Sequence, residues 1–232
     1  MQKLGLARKS AKRIISWTLV ILLAILGGAL CAVVVGTFIA GMTTVLIAVW
    51  VIFALFTLYF FRDPTPNTPA QKDVIVAPAH GTVDIIDETE EKTFIGGKCK
   101  RVSIFLSIFD VHVQNAPVAG VIKLVEYTPG EFKNAMDKDS SLANENVLIG
   151  IESTETPGEK IGVRQIAGLI ARRVVPWVSP GDTVARGERL GIIQFGSRCD
   201  LYIPQYYDVV VNIGTKVKGG ETIIAQKNFH NV

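Results

Sequence analysis

The residue pair with the clearest capacity for chemistry is Gly196-Ser197, which lies between Gly191-Ile-Ile-Gln-Phe and Arg198-Cys-Asp-Leu-Tyr-Ile-Pro. Glycine has no Cβ and adopts strained backbone angles that expose its carbonyl carbon to the neighbouring serine hydroxyl. That hydroxyl is the nucleophile of an N-to-O acyl shift. The ester so formed eliminates and hydrolyses to a pyruvoyl group, an electrophile that no standard side chain supplies. We therefore interpret the pair as a self-cleavage junction, although an isolated Gly-Ser pair is also typical of a turn.

The N-terminal part of the chain is apolar enough to enter a membrane. No charged residue or histidine occurs between Ile14 and Phe61, a stretch about twice as long as one spanning helix needs. Its weakest helix formers lie near the middle: Gly36, Gly41, Thr43 and Thr44. We therefore predict a two-helix transmembrane hairpin with spans near 14–35 and 43–61. A shallow hairpin within one leaflet is the alternative, whereas a cleaved signal peptide would be far shorter.

The charge distribution predicts the side of the membrane on which the rest of the chain lies. Basic residues without any acidic residue precede the first span, and Arg62 follows the second: Lys3, Arg8, Lys9, Lys12 and Arg13. By the positive-inside rule, both ends of the hairpin and the following domain face the cytoplasm at the inner membrane. The net charge of +3 comes from this arm, so we expect a lipid surface as partner and no nucleic acid.

The remaining composition limits the cofactors that the chain can hold. Cys31 lies in the apolar stretch, and Cys99 and Cys199 are isolated from it and from each other. Neither a disulfide framework nor a CxxC metal site is indicated. The sequence also lacks a cluster of metal ligands and a phosphate-binding loop. We therefore expect no metal and no nucleotide cofactor.

A β-rich domain over residues 74–232 follows a proline-containing linker at 62–73. Short segments rich in β-branched residues and bounded by Gly, Pro or charged residues predict its strands: residues 74–77, 82–86, 101–107, 120–126, 160–167 and 169–175. The predicted fold class is mainly β (α+β), with a sandwich-like arrangement.

Two similar segments, which begin at Val178 and Val211, lie on either side of Ser197. They share the pattern Val-x-x-Gly-x-x-Val-x-x-Gly-Glu-x-apolar, which predicts two β-turn-β units and resembles the halves of biotinyl and lipoyl carrier domains. No lysine occurs between Glu188 and Lys216, so a swinging-arm carrier is disfavoured. A membrane-anchored adaptor with the same sandwich remains an alternative but leaves the Gly-Ser junction unexplained.

Six separate stretches together carry a resemblance to one enzyme family. They are Tyr59-Phe-Phe-Arg-Asp-Pro, Val76-Ala-Pro-Ala-His-Gly-Thr-Val, Ile104-Phe-Leu-Ser-Ile-Phe-Asp-Val-His-Val-Gln-Asn-Ala-Pro, Gly130-Glu-Phe-Lys-Asn-Ala-Met-Asp-Lys, Asn144-Glu-Asn and Gly187-Glu-Arg-Leu-Gly-Ile-Ile-Gln-Phe-Gly-Ser-Arg. In order and spacing the chain resembles the small form of phosphatidylserine decarboxylase, a pyruvoyl-dependent membrane enzyme. The archaetidylserine decarboxylases share the pattern, so the sequence leaves the diacyl or archaeal-ether identity of the lipid open.

The resemblance implies a self-processing proenzyme. Cleavage between Gly196 and Ser197 would give a β chain, 1–196, and an α chain, 197–232, which stay associated. Ser197 would become the pyruvoyl group and form a Schiff base with the amine of a serine phospholipid. Loss of carbon dioxide then converts phosphatidylserine to phosphatidylethanolamine.

The resemblance and the chemistry of the side chains suggest roles for several polar residues. His112 is the candidate acid/base, and the alternative is a strand histidine bound to the backbone. Candidate substrate contacts are Asn115 and the guanidinium groups that suit a phosphate or carboxylate: Arg198, Arg172 and Arg173. For the arginines the alternative is an exposed hairpin position.

His80 departs from the family pattern, which has Pro-Ala-Asp-Gly where this chain has Pro78-Ala-His-Gly. The family aspartate is held to assist self-cleavage. A neutral imidazole can accept the serine proton, so His80 is a candidate maturation base. The alternative is an uncleaved, non-enzymatic relative that retains the fold. A homodimer is a further expectation, because dimerisation is one way to cover sheet edges.

Overall fold

The computed structural model describes residues 6–130, 144–168, 173–194 and 197–228, with side chains from Lys12 onward. The chain divides into two compact units, Met1–Thr57 and Leu58–Val232.

The first unit is formed by one long helix, α1 (Leu6–Phe60), whose last residues belong to the second unit. From Lys12 to Phe60 this helix is apolar and long enough to cross a membrane. Its 55 residues extend about 80 Å at 1.5 Å per residue, against a hydrocarbon core of about 30 Å.

The predicted two-helix hairpin, with spans near 14–35 and 43–61, is not what the structure has, because the helix continues through the expected turn. The hydroxyls of Thr43 and Thr44 donate to the carbonyls of Ile39 and Ala40 one turn earlier. These bonds satisfy the polar side chains inside the helix. No proline interrupts the segment, so weak helix propensity alone did not break it.

The second unit is mainly β, as predicted. Its strands are β1 (Val74–Val76), β2 (Gly81–Glu91), β3 (Gly97–Leu106), β4 (Val113–Asn115), β5 (Gly120–Thr128), β6 (Asn146–Ser153), β7 (Lys160–Ala167), β8 (Arg173–Pro176), β9 (Thr183–Val184), β10 (Arg189–Gln194), β11 (Ser197–Ile203), β12 (Tyr207–Val209), β13 (Lys216–Val217) and β14 (Ile223–Lys227). Every predicted strand has a counterpart, although residues 169–172 of the 169–175 prediction lie outside the described residues.

The strands form three antiparallel sheets. Eight strands make the large sheet in the order β13-β2-β3-β11-β7-β6-β5-β9, and two small sheets have the orders β1-β14-β12 and β4-β10-β8. The main hydrophobic core draws side chains from all three sheets, for example Ile104 of β3, Ile224 of β14 and Ile193 of β10. Because strand side chains alternate between faces, only one face of the large sheet supplies this core.

The two repeated segments adopt matching turns. Gly181 and Gly214 have φ of 101° and 88°, and Gly187 and Gly220 have φ of 81° and 72°. Glycine adopts these left-handed angles without a Cβ clash, which explains why the pattern fixes glycine at both offsets. The likeness of the two units to carrier domains stays a prediction.

Gly120 opens β5 where its neighbour leaves no room for a side chain. A Cβ there would lie 2.4 Å from the carbonyl oxygen of Glu152, whereas a Cβ at Gly97 of β3 would meet nothing within 4 Å. We expect Gly120→Ala to destabilise the domain by about 1–3 kcal/mol. Gly97→Ala, the matched control, should be neutral or slightly stabilising. Denaturant unfolding in detergent measures both, and equal midpoints would contradict the expectation.

Candidate active site

Ser197 is the first residue of β11, the strand near the centre of the large sheet. It pairs with Leu106 of β3 on one side and with Ala167 of β7 on the other. Its side chain is fully buried on the core face, and its Oγ has no hydrogen-bond partner among the described residues. A buried hydroxyl without a partner costs about 1–3 kcal/mol. Gly196 lies outside the described residues.

Polar side chains gather around the backbone that faces Ser197. The amide of Asn144 donates to the carbonyl of Ala167 (2.8 Å), and the carbonyl of Glu145 accepts from the N–H of Ala167 (2.9 Å). Both side chains are buried. The segment that leads into β6 therefore holds the residue directly opposite Ser197.

A chain of side-chain amides connects the Ser197 strands to the segment that carries His112. Gln165 of β7 donates to Oε1 of Gln114 (2.9 Å), and Gln114 donates to the carbonyl of His112 (2.7 Å). Gln165 pairs with Cys199 and lies on the same face as Ser197. Its own Oε1 is buried without a partner among the described residues. On the core face of the adjacent strands β11 and β7, Ser197 Oγ and Gln165 Oε1 thus both lack partners among the described residues.

His112 is held in one orientation within the domain. It is fully buried, and its ring lies on that of Phe60 with centroids 4.2 Å apart. Nδ1 lies 2.9 Å from the carbonyl oxygen of Asp110. Because a carbonyl only accepts, Nδ1 carries the proton and Nε2 carries the lone pair. The N–H of Ile193, four residues before Ser197, donates to the His112 carbonyl (3.2 Å).

Burial lowers the pKa of His112 to about 4, and the hydrogen bond to the Asp110 carbonyl only partly opposes this effect. The imidazole is therefore neutral at pH 7. With Nδ1 protonated, such a ring accepts a proton at Nε2, so its resting form suits a base better than an acid.

His80 lies in the bend before β2, two residues from Thr82, which pairs with Phe105 of β3. Since Ser197 pairs with the next residue of β3 on its other side, His80 and Ser197 border the same end of that strand. Burial lowers the pKa of His80, and Glu221 opposes this change. His80 is therefore also neutral at pH 7.

Asn115 lies beside His80. A Cβ on Gly219 would meet both Asn115 Oδ1 (2.7 Å) and His80 Cδ2 (3.1 Å), so the glycine leaves the space that these side chains use. The Asn115 amide donates to the carbonyl of Gly187 (2.9 Å), and its backbone N–H donates to Pro78 (2.8 Å). The structure thus brings His80 and Asn115 together beside Gly219, and the Asn115 amide is bound to Gly187 in the first repeated segment.

Arg198 lies on the opposite face of the sheet from Ser197, with 1% of its side chain exposed. It forms an ion pair with Asp84 of β2. The register of β2 shifts between Val83 and Ile85, and such a bulge re-aims the extra residue. Asp84 is therefore engaged by Arg198. The expected role of Arg198 as a substrate contact stays a prediction.

The other expected arginines are placed less fully. Arg173 is exposed at the start of β8 and pairs with Gln194, the last described residue before the junction. Arg172 lies outside the described residues. Of the expected substrate contacts, the structure therefore sets Asn115 beside His80 and Arg173 on the surface.

A second buried charge lies two residues beyond Arg198. Asp200 is fully buried, burial raises its pKa, and the nearby arginines oppose that rise. Its Oδ2 lies 4.0 Å from Nη1 of Arg101. The outer face of the sheet thus anchors β11 through charged side chains while the inner face presents Ser197.

Gln165 was not predicted from the sequence as a site residue. A signal for it exists in β7, where Ile161, Val163 and Ala167 are apolar core residues and Gln165 interrupts their alternation. A polar residue at a core-facing strand position needs a buried partner. Gly191 leaves room for the Gln165 side chain, because a Cβ at residue 191 would lie 3.0 Å from Gln165 Nε2.

A surface cleft elsewhere on the domain does not include these residues. It is lined by the linker segment 69–73 with Ala119, Glu155 and Arg186. Arg186 is occupied there, since it donates to the carbonyls of Pro69 and Gln71 and pairs with Glu155. Ser197, His80 and His112 therefore lie outside this cleft.

Comparison with known proteins agrees with these motifs. Residues 53–225 match the family model described as phosphatidylserine decarboxylase. A phosphatidylserine decarboxylase proenzyme from Desulfotalea psychrophila is 43% identical over 182 residues, which cover 78% of this chain and 84% of that protein. Proenzymes of the same name from Ruegeria pomeroyi (40% identity, 82% and 90%) and Wolbachia sp. subsp. Brugia malayi (44%, 76% and 78%) are also similar.

The chain therefore belongs to the phosphatidylserine decarboxylase family, and its expected enzyme class, a carboxy-lyase, is confirmed. The family match covers most of the second unit, including Ser197, His112 and His80.

The lowered pKa of His112 predicts a pH dependence of stability. Between pH 6.5 and about 4 the unfolded histidine binds a proton that the folded one does not, so stability falls as pH drops through this window. The contribution is at most about 3 kcal/mol. We expect His112→Gln to lose this part of the acid sensitivity, as measured by denaturant unfolding at pH 7, 5.5 and 4.5. Parallel losses in both proteins would show that His112 is not the titrating group.

Proposed function

We propose that the chain cleaves itself between Gly196 and Ser197 and then decarboxylates phosphatidylserine to phosphatidylethanolamine. The observation that carries this proposal is the buried hydroxyl of Ser197, which lacks a partner among the described residues at the start of a central strand. Such a hydroxyl is desolvated, and no described residue holds it in a hydrogen bond. The names of the relatives support the same reaction.

Cleavage uses groups of this chain alone. The oxygen of Ser197 attacks the carbonyl carbon of Gly196 and its proton passes to a neutral imidazole, for which His80 and His112 are the candidates. The peptide C–N bond breaks and an ester remains. Elimination of that ester releases residues 1–196 with a free carboxylate, and hydrolysis with loss of ammonia leaves the pyruvoyl group at residue 197.

The site fits this group. Ser197 is shielded from water between β3 and β7, and Gln165 Oε1 on the next strand is a further polar atom without a partner among the described residues. When formed, the pyruvoyl carbonyl supplies an electron sink for the bond to the departing carboxylate. Asn115 would then orient the headgroup by hydrogen bonding, and His112 would move protons beside it. The neutral imidazole of His112 suits the removal of a proton from the headgroup amine.

The sheet explains how the two products of cleavage would remain one protein. The α chain, 197–232, contains β11, which is hydrogen-bonded on both sides to strands of the β chain. It also contains β14, which lies between β1 and β12. Separation would break both ladders and expose core residues such as Leu201 and Ile224. The association of the chains is therefore strong, and a homodimer is not needed for it.

Replacement of the nucleophile tests the proposal. We expect the wild-type protein to give a fragment of residues 197–232 that begins with a pyruvoyl group, by intact mass in detergent. Ser197→Ala should remain full length and should not decarboxylate phosphatidylserine. Ser103→Ala, a matched change of a fully buried serine on the other face, should be cleaved normally.

A wild-type chain that stays full length would reject the proposal in favour of the uncleaved relative. His80→Asp would then test whether the histidine blocks maturation. Cleavage without decarboxylation would keep the first step and reject the second.

We further propose that α1 attaches the enzyme to the inner membrane with the catalytic domain in the cytoplasm. The basic arm before the apolar stretch and Arg62 after it support this location. A single crossing by the continuous helix would instead place the arm and the domain on opposite sides.

The two arrangements differ in a direct measurement. Two reporters are fused in turn after residue 232. If the domain is cytoplasmic, a fluorescent protein that matures in the cytoplasm should be bright, and a phosphatase that is active only after export should be inactive. A reporter fused before residue 1 is the control. A non-fluorescent reporter and an active phosphatase after residue 232 would overturn the proposed orientation.

A further inference from the structure

A tight turn after β3 exposes two apolar side chains. The backbone N–H and hydroxyl of Ser107 both donate to Oδ2 of Asp110 (2.8 and 2.7 Å), and the Asp110 N–H donates to the Ser107 carbonyl (2.9 Å). Between them, Ile108 and Phe109 are 37% and 61% exposed. Because both ends of the turn are fixed, its apolar tip is held outward.

The same turn is bound to the chain segment that follows Thr57. The carbonyl of Phe109 accepts hydrogen bonds from the hydroxyl of Tyr59 (3.1 Å) and from Nη2 of Arg62 (2.7 Å). The Arg62 guanidinium also lies 4.0 Å from the centre of the Tyr59 ring. These contacts unite exposed side chains from two distant parts of the sequence into one surface. We name it the Phe109 patch, and its members are Leu58, Tyr59, Phe61, Arg62, Ile108 and Phe109.

The patch has the composition of a membrane-interface surface. Leu58, Tyr59 and Phe61 are each at least 40% exposed. Tyrosine is enriched at the level of lipid headgroups, and a guanidinium binds phosphate oxygens. In the rest of the described second unit, the large exposed apolar side chains are spread over three segments away from the patch, as is normal for scattered surface residues: Tyr127, Trp177, and Val210 with Ile213.

Chain continuity indicates which partner covers the patch. Leu58 lies near the end of the charge-free stretch from Ile14 to Phe61, so the patch begins at the end of a segment able to cross a membrane. Residues this close to the end of such a segment lie at the bilayer surface. A lipid surface is therefore the occupant that the sequence itself brings to the patch.

The patch is also connected to the site. Phe60, between the exposed Tyr59 and Phe61, is buried against the ring of His112. Asp110, which closes the turn, accepts the hydrogen bond from His112 Nδ1. Whatever holds the patch therefore also fixes the position of His112.

We propose that the Phe109 patch inserts into the headgroup region of the bilayer and holds His112 at the depth of the lipid headgroups, so that the enzyme takes its substrate from the membrane plane. This inference rests on the proposed decarboxylase function. It adds a lipid-contacting surface within the folded domain, separate from α1.

Kinetics with two forms of substrate test the patch. For the full chain in vesicles, Ile108→Ser combined with Phe109→Ser should lower kcat/KM for phosphatidylserine about tenfold, since an inserted apolar side chain is lost. Self-cleavage and the turnover of a water-soluble short-chain phosphatidylserine should stay within about twofold of wild type. Phe109→Leu alone keeps an apolar side chain at the tip of the turn and should retain most of the activity on vesicles.

Val210→Ser is the matched control, because Val210 is half exposed and lies after β12, outside the patch. It should leave both activities unchanged. An equal loss with both substrates, or no loss in vesicles, would overturn the proposal.

Depth-dependent quenching gives a readout that does not depend on activity. Cys99 and Cys199 are buried and burial raises the pKa of both thiols, so a Cys31→Ala background allows a fluorophore at Phe109→Cys. Lipids with a nitroxide near the headgroup should quench it. A label at Thr93→Cys, in the turn at the far end of β2 and β3, should not be quenched.

Unquenched fluorescence at residue 109, or efficient disulfide cross-linking of Phe109→Cys between two copies, would overturn lipid contact. Quenching of the label at residue 109, together with a wild-type protein that converts neither substrate, would reject the proposed function while supporting the patch.

Discussion

The position of β11 is the constraint on which the rest of the domain depends. Its first residue, Ser197, is fixed on both sides by ladders to β3 and β7, while its hydroxyl lacks a hydrogen bond to any described residue. The backbone of Ser197 is therefore hydrogen-bonded on both sides, whereas its hydroxyl is not bonded to any described residue. A strand in the middle of a sheet provides this combination, because its backbone groups are satisfied by neighbours and its side chain alone faces the core.

The two faces of β11 have different tasks. On the inner face, Gln165 and Gln114 connect the strand beside Ser197 to the backbone of His112. On the outer face, Arg198 and Asp200 are buried among charged partners. Breaking such a buried pair is costly, since it leaves an unpaired charge away from water. The outer face thus resists displacement of the strand while the inner face holds the groups suited to chemistry.

The buried histidines illustrate how position sets reactivity. Desolvation lowers the pKa of both His80 and His112, so both are neutral bases at pH 7. The hydrogen bond to the Asp110 carbonyl also selects the tautomer of His112. Phe60 contributes by covering the ring, which makes the end of α1 part of the environment of His112.

The sequence by itself determined the β-rich domain, the apolar N-terminal segment, the family and the chemical types at Ser197, His112 and His80, because these depend on local pattern and residue identity. The tertiary structure decided what the pattern left open. It continued α1 through the expected turn, paired Arg198 with Asp84 and brought Gln165 into the site. It also joined Phe109 to Tyr59 and Arg62. Each of these outcomes depends on strand register or on contacts between residues far apart in the chain, and such contacts are settled by packing and not by local propensity.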